Sequence, residues 1–433
     1  MTAKASLYRH IALLYYGRMQ SKANTLLASL LSSQRESIRD PLWKDIHLSA
    51  QMKRVLSVPC VQKLGRIKQL GPTFHLYPGA VHTRLDHSLG VYYVSSQILI
   101  GLLKQATGSH ADTPFTEEGM NTFLCASLLH DIGHFPYAHS LKELPLKSHE
   151  EIAGDLIEGD EQLRAAILEA GLDPAKVAAI IDENRANQEE EIALYRSLLS
   201  GALDPDKLDY LNRDAFFCGV PYGMQDVSYI TDKLVVAERH IALLEQALPS
   251  VEHLLFSKYL MYRNVYWHKT TRSATAMIKK ALLLALSENR LNAEQLYTLD
   301  DEQFSLLGKD ISPLFSLVRD NQLYPCRYEK PFERGSAWER GALGLAERTR
   351  FEQELADRLG VPSHHLVIDI PEPISFESDI PILTEDGSVS SFALLDQIFS
   401  HDIGRVFTKS LRKFRIFTHP SIATKDLERV LES

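Results

Sequence analysis

The 433-residue chain has no cysteines at CxxC spacing, no excess of basic residues and no apolar run of membrane-spanning length. Its four cysteines, Cys60, Cys125, Cys218 and Cys326, each stand alone beside apolar residues. That pattern excludes a disulfide scaffold and suits reduced, buried thiols. No stretch reaches the roughly 18 apolar residues of a bilayer span. The opening MTAKASLYRHIALLYYGRMQ lacks the apolar core and small-residue cleavage site of a secretory signal, so a cytoplasmic location is expected. Lys+Arg number 47 against Asp+Glu 56, a net charge of -9. A broad nucleic-acid-binding face needs clustered cations, so none is expected, although a locally basic pocket for a small anion remains open. No internal repeat or low-complexity tract is present.

What is there reads as an ordinary globular chain, 45% hydrophobic and 24% charged, long enough for two or three domains. Residues 1–36 form a helical extension, with Leu7, Ile11, Leu14, Leu26 and Leu30 at helical spacing. Near Ser37, IRDPLWKDIHL suggests a turn and a short strand. From there to about residue 320 the pattern is overwhelmingly helical. RLDHSLGVYYVSSQILIGLLKQ (84–105) gives one long helix, NTFLCASLLHDIG (121–133) a second that Gly133 stops, and VEHLLFSKYLMYRNVYWHKTTRSATAMIKKALLLAL another long helical stretch. Residues 321–433 change character: HHLVIDIPEPISF and SDIPILTEDGSVSSF alternate, with Asp386-Gly387 as a hairpin signal. The expected fold is mainly α, a helical core over 37–320 with a small α+β C-terminal subdomain over 321–433.

His130-Asp131 closes the apolar stretch SLLHD. A carboxylate buried at a helix end is expensive without a partner, and a shared cation supplies one. Upstream, His87 sits among apolar residues in HTRLDHSLGV; downstream, Asp206 opens the helix of DPDKLDYLNRD. Ligands drawn from separate helices are how bundles build metal sites. Two imidazoles and two carboxylates suit Mn, Fe, Zn, Ni or Mg and leave room for water or a substrate oxygen. Asp209 lies three residues beyond Asp206 on nearly the same helix face, so spacing alone does not choose between them.

The ordered stretches VQKLGRIKQLGPTFHLYPGAVHTRLDHSLGV, LLHDIGHFPYAHS, SHEE and DPDKLDYLNRD resemble the HD-domain deoxynucleoside triphosphate triphosphohydrolases. The likeness is greatest to members that join a SAM domain to the HD domain, here without the SAM domain, and it covers roughly residues 37–285. It implies an HD-domain fold and hydrolysis of dNTPs to deoxynucleoside and triphosphate, by attack of metal-activated water on the α-phosphorus. The implied metal ligands are His87, His130, Asp131 and Asp206, so the resemblance favours Asp206 over Asp209. The implied catalytic residues are His134, His139 and His149, with Glu150 beside the last. Lys142 stands where the family has an acid, and Glu143 is the neighbouring carboxylate available to replace it.

The same resemblance assigns phosphate contacts to Arg84, Lys207 and Lys258. Arg84 lies one helical turn before His87, and Lys258 stands for a family Arg, keeping charge without the bidentate fork. Sugar contacts fall on Gln69, Leu70, Tyr210, Asp214 and Tyr266, with a tyrosine beneath the 2′-carbon excluding a 2′-hydroxyl by clash. Core packing is the competing account of both tyrosines. Tyr262 replaces a family His, and Trp267 replaces a Gln near the base. Glu36, Ser57 and Gly65 stand where the family places the Lys, Asp and Arg of a guanine-nucleotide activator site, so activation there is expected to be absent or differently built. A nucleotide partner and a homo-oligomer, dimer or tetramer, are implied. Two alternatives stay open: an HD phosphohydrolase acting on another nucleotide, a phosphomonoester or single-stranded nucleic acid, and a non-catalytic nucleotide sensor. No GYP motif follows the HD pair, which disfavours a cyclic-dinucleotide enzyme.

Overall fold

The computed structural model describes residues 21–433 apart from 110–112, 238–239, 333–334, 375, 377–378, 397, 400–401 and 433. Most of the helix expected over residues 1–36 lies outside the described residues. Its described part, α1 (Lys22–Ser33), is capped by Ser21, whose side chain accepts from Asn24 N–H, and it buries Leu26 and Leu30. The IRDPLWKDIHL segment forms two strands, β1 (Glu36–Asp40) and β2 (Lys44–Leu48), where one was expected. Asp40 Oδ1 closes their turn by accepting from Leu42 and Trp43 N–H at 2.8 and 2.7 Å.

At the centre runs α2 (Arg84–Ser109). Helix α1, α3 (Glu117–Leu129), α5 (Pro205–Cys218) and strand β3 (Leu234–Ala237) all pack on it. Covered on all sides, α2 needs no polar stripe, and Val91, Tyr92, Val94, Ile98, Leu99, Leu102 and Leu103 are all buried. Helix α3 ends at Leu129, before the HD pair. Gly133 therefore does not stop it. A Cβ there would lie 2.0 Å from His149 O, so this glycine lets the first turn of α4 (His149–Gly159) come close.

The long helical stretch after Val251 is broken. α6 (Leu248–Met261) passes into one π-helical turn at Tyr262–Tyr266, and α7 (Lys269–Ser287) starts afresh with His268 as its cap. Such turns re-aim side chains and gather at functional sites. Strands β3 (Leu234–Ala237), β4 (His240–Leu244), β7 (Pro381–Leu383) and β8 (Val389–Ser391) form one sheet in the order β3-β4-β7-β8. The Asp386-Gly387 turn joins β7 to β8, with Gly387 at φ 87°. A second, antiparallel sheet has the order β5-β9-β6, from β5 (Cys326–Pro331), β6 (Leu366–Asp369) and β9 (Lys413–Thr418). The chain is mainly α with an HD-type helical core, as expected. Because β7 runs parallel beside β4, sheet pairing crosses the boundary expected at residue 321. Among the described residues no helix is long and apolar enough to cross a membrane.

Candidate metal centre and the cavity beside it

Three elements bring His87, His130 and Asp206 together, with one ligand atom from each within 4.8 Å of the others. His87 is on the first turn of α2, His130 just past α3, and Asp206 on the first turn of α5. His87 Nδ1 lies 2.8 Å from Asp209 Oδ2, and its Nε2 lies 2.9 Å from Asp206 Oδ1. With Nδ1–H donating to Asp209, the Nε2 lone pair faces a carboxylate oxygen. That contact is repulsive unless a proton or a cation lies between. Burial opposes protonation of His87, but the hydrogen bonds and charges of Asp206 and Asp209 outweigh it and raise the pKa to about 10. Those interactions with His87 likewise overcome burial and lower Asp206 to about 2.

His130 repeats the motif. Its Nδ1 lies 2.8 Å from Ser127 O, which orients the ring, and its buried Nε2 has no hydrogen-bond partner among the described residues. An orphaned ring nitrogen beside Asp206 (3.9 Å) and Asp131 (3.4 Å) is a ligand position. Asp131 flanks this trio. Its Oδ2 accepts from Arg84 Nη1 at 2.8 Å, and its Oδ1 lies 3.0 Å from His134 Nδ1. Two imidazoles and two carboxylates fit a divalent first-row cation.

Next to this cluster stand three further imidazoles. His134 Nε2 and His139 Nε2 are 3.0 Å apart, and the rings of His134 and His149 lie 4.0 Å apart. His139 and His149 line the cavity, while His134 is wholly buried behind them. Tyr137, left-handed at φ 66°, turns the chain into the short helix that carries His139. Burial is the largest influence on all three, holding His134 and His139 well below the usual histidine value and His149 at about 4. Glu150 lies 3.2 Å from His149 Nδ1 but is not among the cavity-lining residues. Glu143 does not replace the family's acid beside His139. Its carboxylate is taken by Arg348, at 2.8 and 3.0 Å, and by Lys279.

The cavity encloses about 560 Å³, within the usual range for small-molecule sites. Gln69, Leu70, Arg84, Tyr210, Asp214, Lys258, Tyr262 and Tyr266 all line it, as do Trp267 and Lys142. At one end Tyr266 OH donates to Asp214 Oδ2 at 2.7 Å, and His82 Nε2 lies 2.7 Å from Asp214 Oδ1. Tyr210 meets Tyr266 edge-on, with ring centroids 6.4 Å apart. Gln69 Oε1 and Arg84 Nε are buried without partners among the described residues. Lys207 does not join these residues. It is absent from the lining, and its ammonium donates to Asp204 Oδ2 at 2.6 Å and Gly201 O at 2.9 Å. The lining cations are Lys68, Arg84, Lys142, Lys258, Arg272 and Lys279, against the carboxylates Asp131, Asp206, Asp214 and Glu372.

Residues behind this wall escaped sequence reasoning. Arg213 grips Asp209 at 2.8 and 3.0 Å and Asp40 at 2.8 Å, and Trp43 Nε1 donates to Asp209 Oδ1 at 2.5 Å. Gly90 makes room for this group, since a Cβ there would lie 1.9 Å from Asp209 Oδ1. The DxxD spacing of Asp206 and Asp209 was the available signal, whereas nothing local marks Asp40, Trp43 or His82.

Comparison with known proteins accords with this geometry. Residues 84–214 match the HD domain, and residues 225–398 match the HD associated region. An uncharacterized protein of Methanocaldococcus jannaschii is 35% identical over 269 residues, 61% of this chain and 53% of that protein. An uncharacterized protein of Bacillus subtilis is 32% identical over 252 residues, 58% of this chain and 56% of that one. The match thus spans little more than half the length of these relatives. The deoxynucleoside triphosphate triphosphohydrolase SAMHD1 of Homo sapiens is 26% identical over 281 residues, 57% of this chain and 44% of that enzyme. A crystal structure of a phosphohydrolase from Bacteroides thetaiotaomicron shares the fold, with a TM-score of 0.69 at 23% identity, covering 89% of this chain and 100% of that one.

Proposed function

We propose that this protein is a metal-dependent phosphohydrolase that splits a deoxynucleoside triphosphate into deoxynucleoside and triphosphate. The observation that carries this reading is that one cavity holds both the His87–His130–Asp206 cluster and the Tyr266–Asp214 pair. His87, His130, Asp131 and Asp206 would hold a divalent cation, which would supply Lewis acidity to make water nucleophilic at neutral pH and to draw charge from a phosphoryl oxygen.

The chain's own residues supply the rest. Arg84, fixed on Asp131 and lining the same cavity, steadies phosphate charge there. Water oxygen bonds to the α-phosphorus as the bond to the 5′-oxygen breaks. His134, His139 and His149 take up the water's proton and return it to the departing 5′-oxygen, and the 3.0 Å contact between His134 and His139 suits such a relay. Tyr210 and Tyr266 wall the sugar end, where the bulk of a ring rejects a 2′-hydroxyl. In this reading Gln69 and Asp214 bond the 3′-hydroxyl. The name of the Homo sapiens relative, a deoxynucleoside triphosphate triphosphohydrolase, supports the same substrate class.

A second reading, hydrolysis of a different nucleotide or phosphate ester, draws on Lys142 and Trp267, which replace the family's acid and Gln on the cavity wall. Incubating the protein with each dNTP and Mn or Mg, and separating the products by chromatography, decides between them. Deoxynucleoside plus triphosphate supports the first reading. Monophosphate, or no turnover of any dNTP, removes it.

A further inference from the structure

Helix α7 is buried along most of its length, yet Thr271, Arg272, Thr275 and Lys279 line the cavity. Their spacing of one, three and four residues keeps them on neighbouring faces over about 12 Å, at 1.5 Å rise per residue. A polar stripe on a buried helix is costly unless something pairs with it. Part of the pairing is internal. Arg272 forms a two-pronged bridge with Asp369, with Nε at 3.0 Å from Oδ2, and Lys279 bonds Glu143. These bridges hold the two cations in place while each keeps further N–H donors. Thr271 is different. It is 6% exposed, its Oγ1 has no hydrogen-bond partner among the described residues, and it borders the cavity.

The turn carrying His139 adds Lys142 to the same lining. Glu143, one residue on, is bridged to α7 and to Arg348, so the acid nearest Lys142 in sequence is already neutralised. Meanwhile Lys207, which the resemblance assigns to phosphate, is engaged by Asp204 and Gly201 outside the lining.

We infer that the α7 stripe, together with Lys142, is the subsite for the outer phosphates of a polyphosphate chain, taking the part that Lys207 does not fill. The inference rests on the proposed function for the nucleotide to which that chain is attached, but not for the anion itself. It makes the length of the phosphate chain, rather than the base, the property read by residues 271–279 and 142.

Binding of inorganic triphosphate and of orthophosphate, measured by calorimetry on the full chain with Mn present, tests it without reference to turnover. Two variants are used: T271V, which removes only the orphaned hydroxyl, and K142A, at an exposed position that carries no fold risk. Each is expected to bind triphosphate about tenfold more weakly, the effect of one hydrogen bond or ion contact to a charged group, with orthophosphate binding unchanged. Unchanged triphosphate binding in both variants overturns the subsite. So does an equal loss for both anions, which marks a general field effect. Wild-type protein that binds triphosphate in this way yet hydrolyses no dNTP removes the proposed function and leaves the subsite standing.

Discussion

Asp209 Oδ2 lies 2.8 Å from His87 Nδ1, on the side of the ring away from Asp206. The two aspartates of DKLD, three residues apart, therefore address opposite nitrogens of one imidazole. Asp206 reaches the cavity, its side chain 39% exposed, while Asp209 is fully buried and clamped by Arg213. In the proposed site Asp206 acts as a ligand, and Asp209 as the group that fixes the tautomer of His87.

That division predicts different losses. Asp206→Asn removes a charged ligand and abolishes metal retention. Asp209→Asn keeps shape and weakens metal affinity about 10- to 100-fold, the usual effect of losing a partner behind a ligating histidine. Metal content after gel filtration and titration with Mn measure both. Equal retention by the two variants contradicts the assignment.

Metal binding to the folded chain alone stabilises it by about 2.7 kcal/mol at a hundredfold excess over Kd. Thermal unfolding with Mn or Fe present is expected to shift upward by several degrees, and EDTA to reverse the shift. His130→Ala, which deletes the orphaned Nε2, abolishes the metal-dependent part of the shift.

The proposed role of Tyr210 at the sugar predicts a change of preference. Tyr210→Ala opens the space beside Tyr266, so kcat/KM for a ribonucleotide relative to its deoxy form rises about tenfold or more. Tyr210→Phe, which keeps the ring, leaves the ratio unchanged. If both variants lower stability without moving the ratio, Tyr210 is a packing residue only.

Burial pushes the Lys63 ammonium down from 10.5 to about 8. Its Nζ donates to Tyr297 O at 3.0 Å. Between those two pH values the unfolded chain binds the proton and the folded chain does not, so stability from this group rises as pH climbs from about 8 to 10.5. Below that window the full cost of the buried charge remains. Lys63→Met is expected to raise stability at pH 7 by on the order of 1 kcal/mol and to flatten that rise. Denaturant unfolding at pH 7 and 10 checks both.

Much of the fold was legible because its signals are local. The apolar run of residues 84–105 made a helix under any packing, Asp386-Gly387 made a turn, and His130-Asp131 at the end of an apolar helix needed a charged partner. The break at Tyr262–Tyr266 was not legible, since the sequence there continues a helical pattern and only packing imposes the wider turn. Nor was Gly133's part, because its close neighbour, His149 O, lies sixteen positions away.

The same distinction runs through the site. Residue types and order made His87, the His130-Asp131 pair and the Asp206/Asp209 pair legible as candidate ligands on distant segments, because ligand chemistry is a property of side chains. Which nitrogen of His87 faces Asp206, why Lys207 turns to Asp204, and how Arg272 and Lys279 enter the cavity were decided only in three dimensions. Orientation, burial and pairing belong to contacts between segments distant in sequence, where desolvation penalises any polar atom left without a partner.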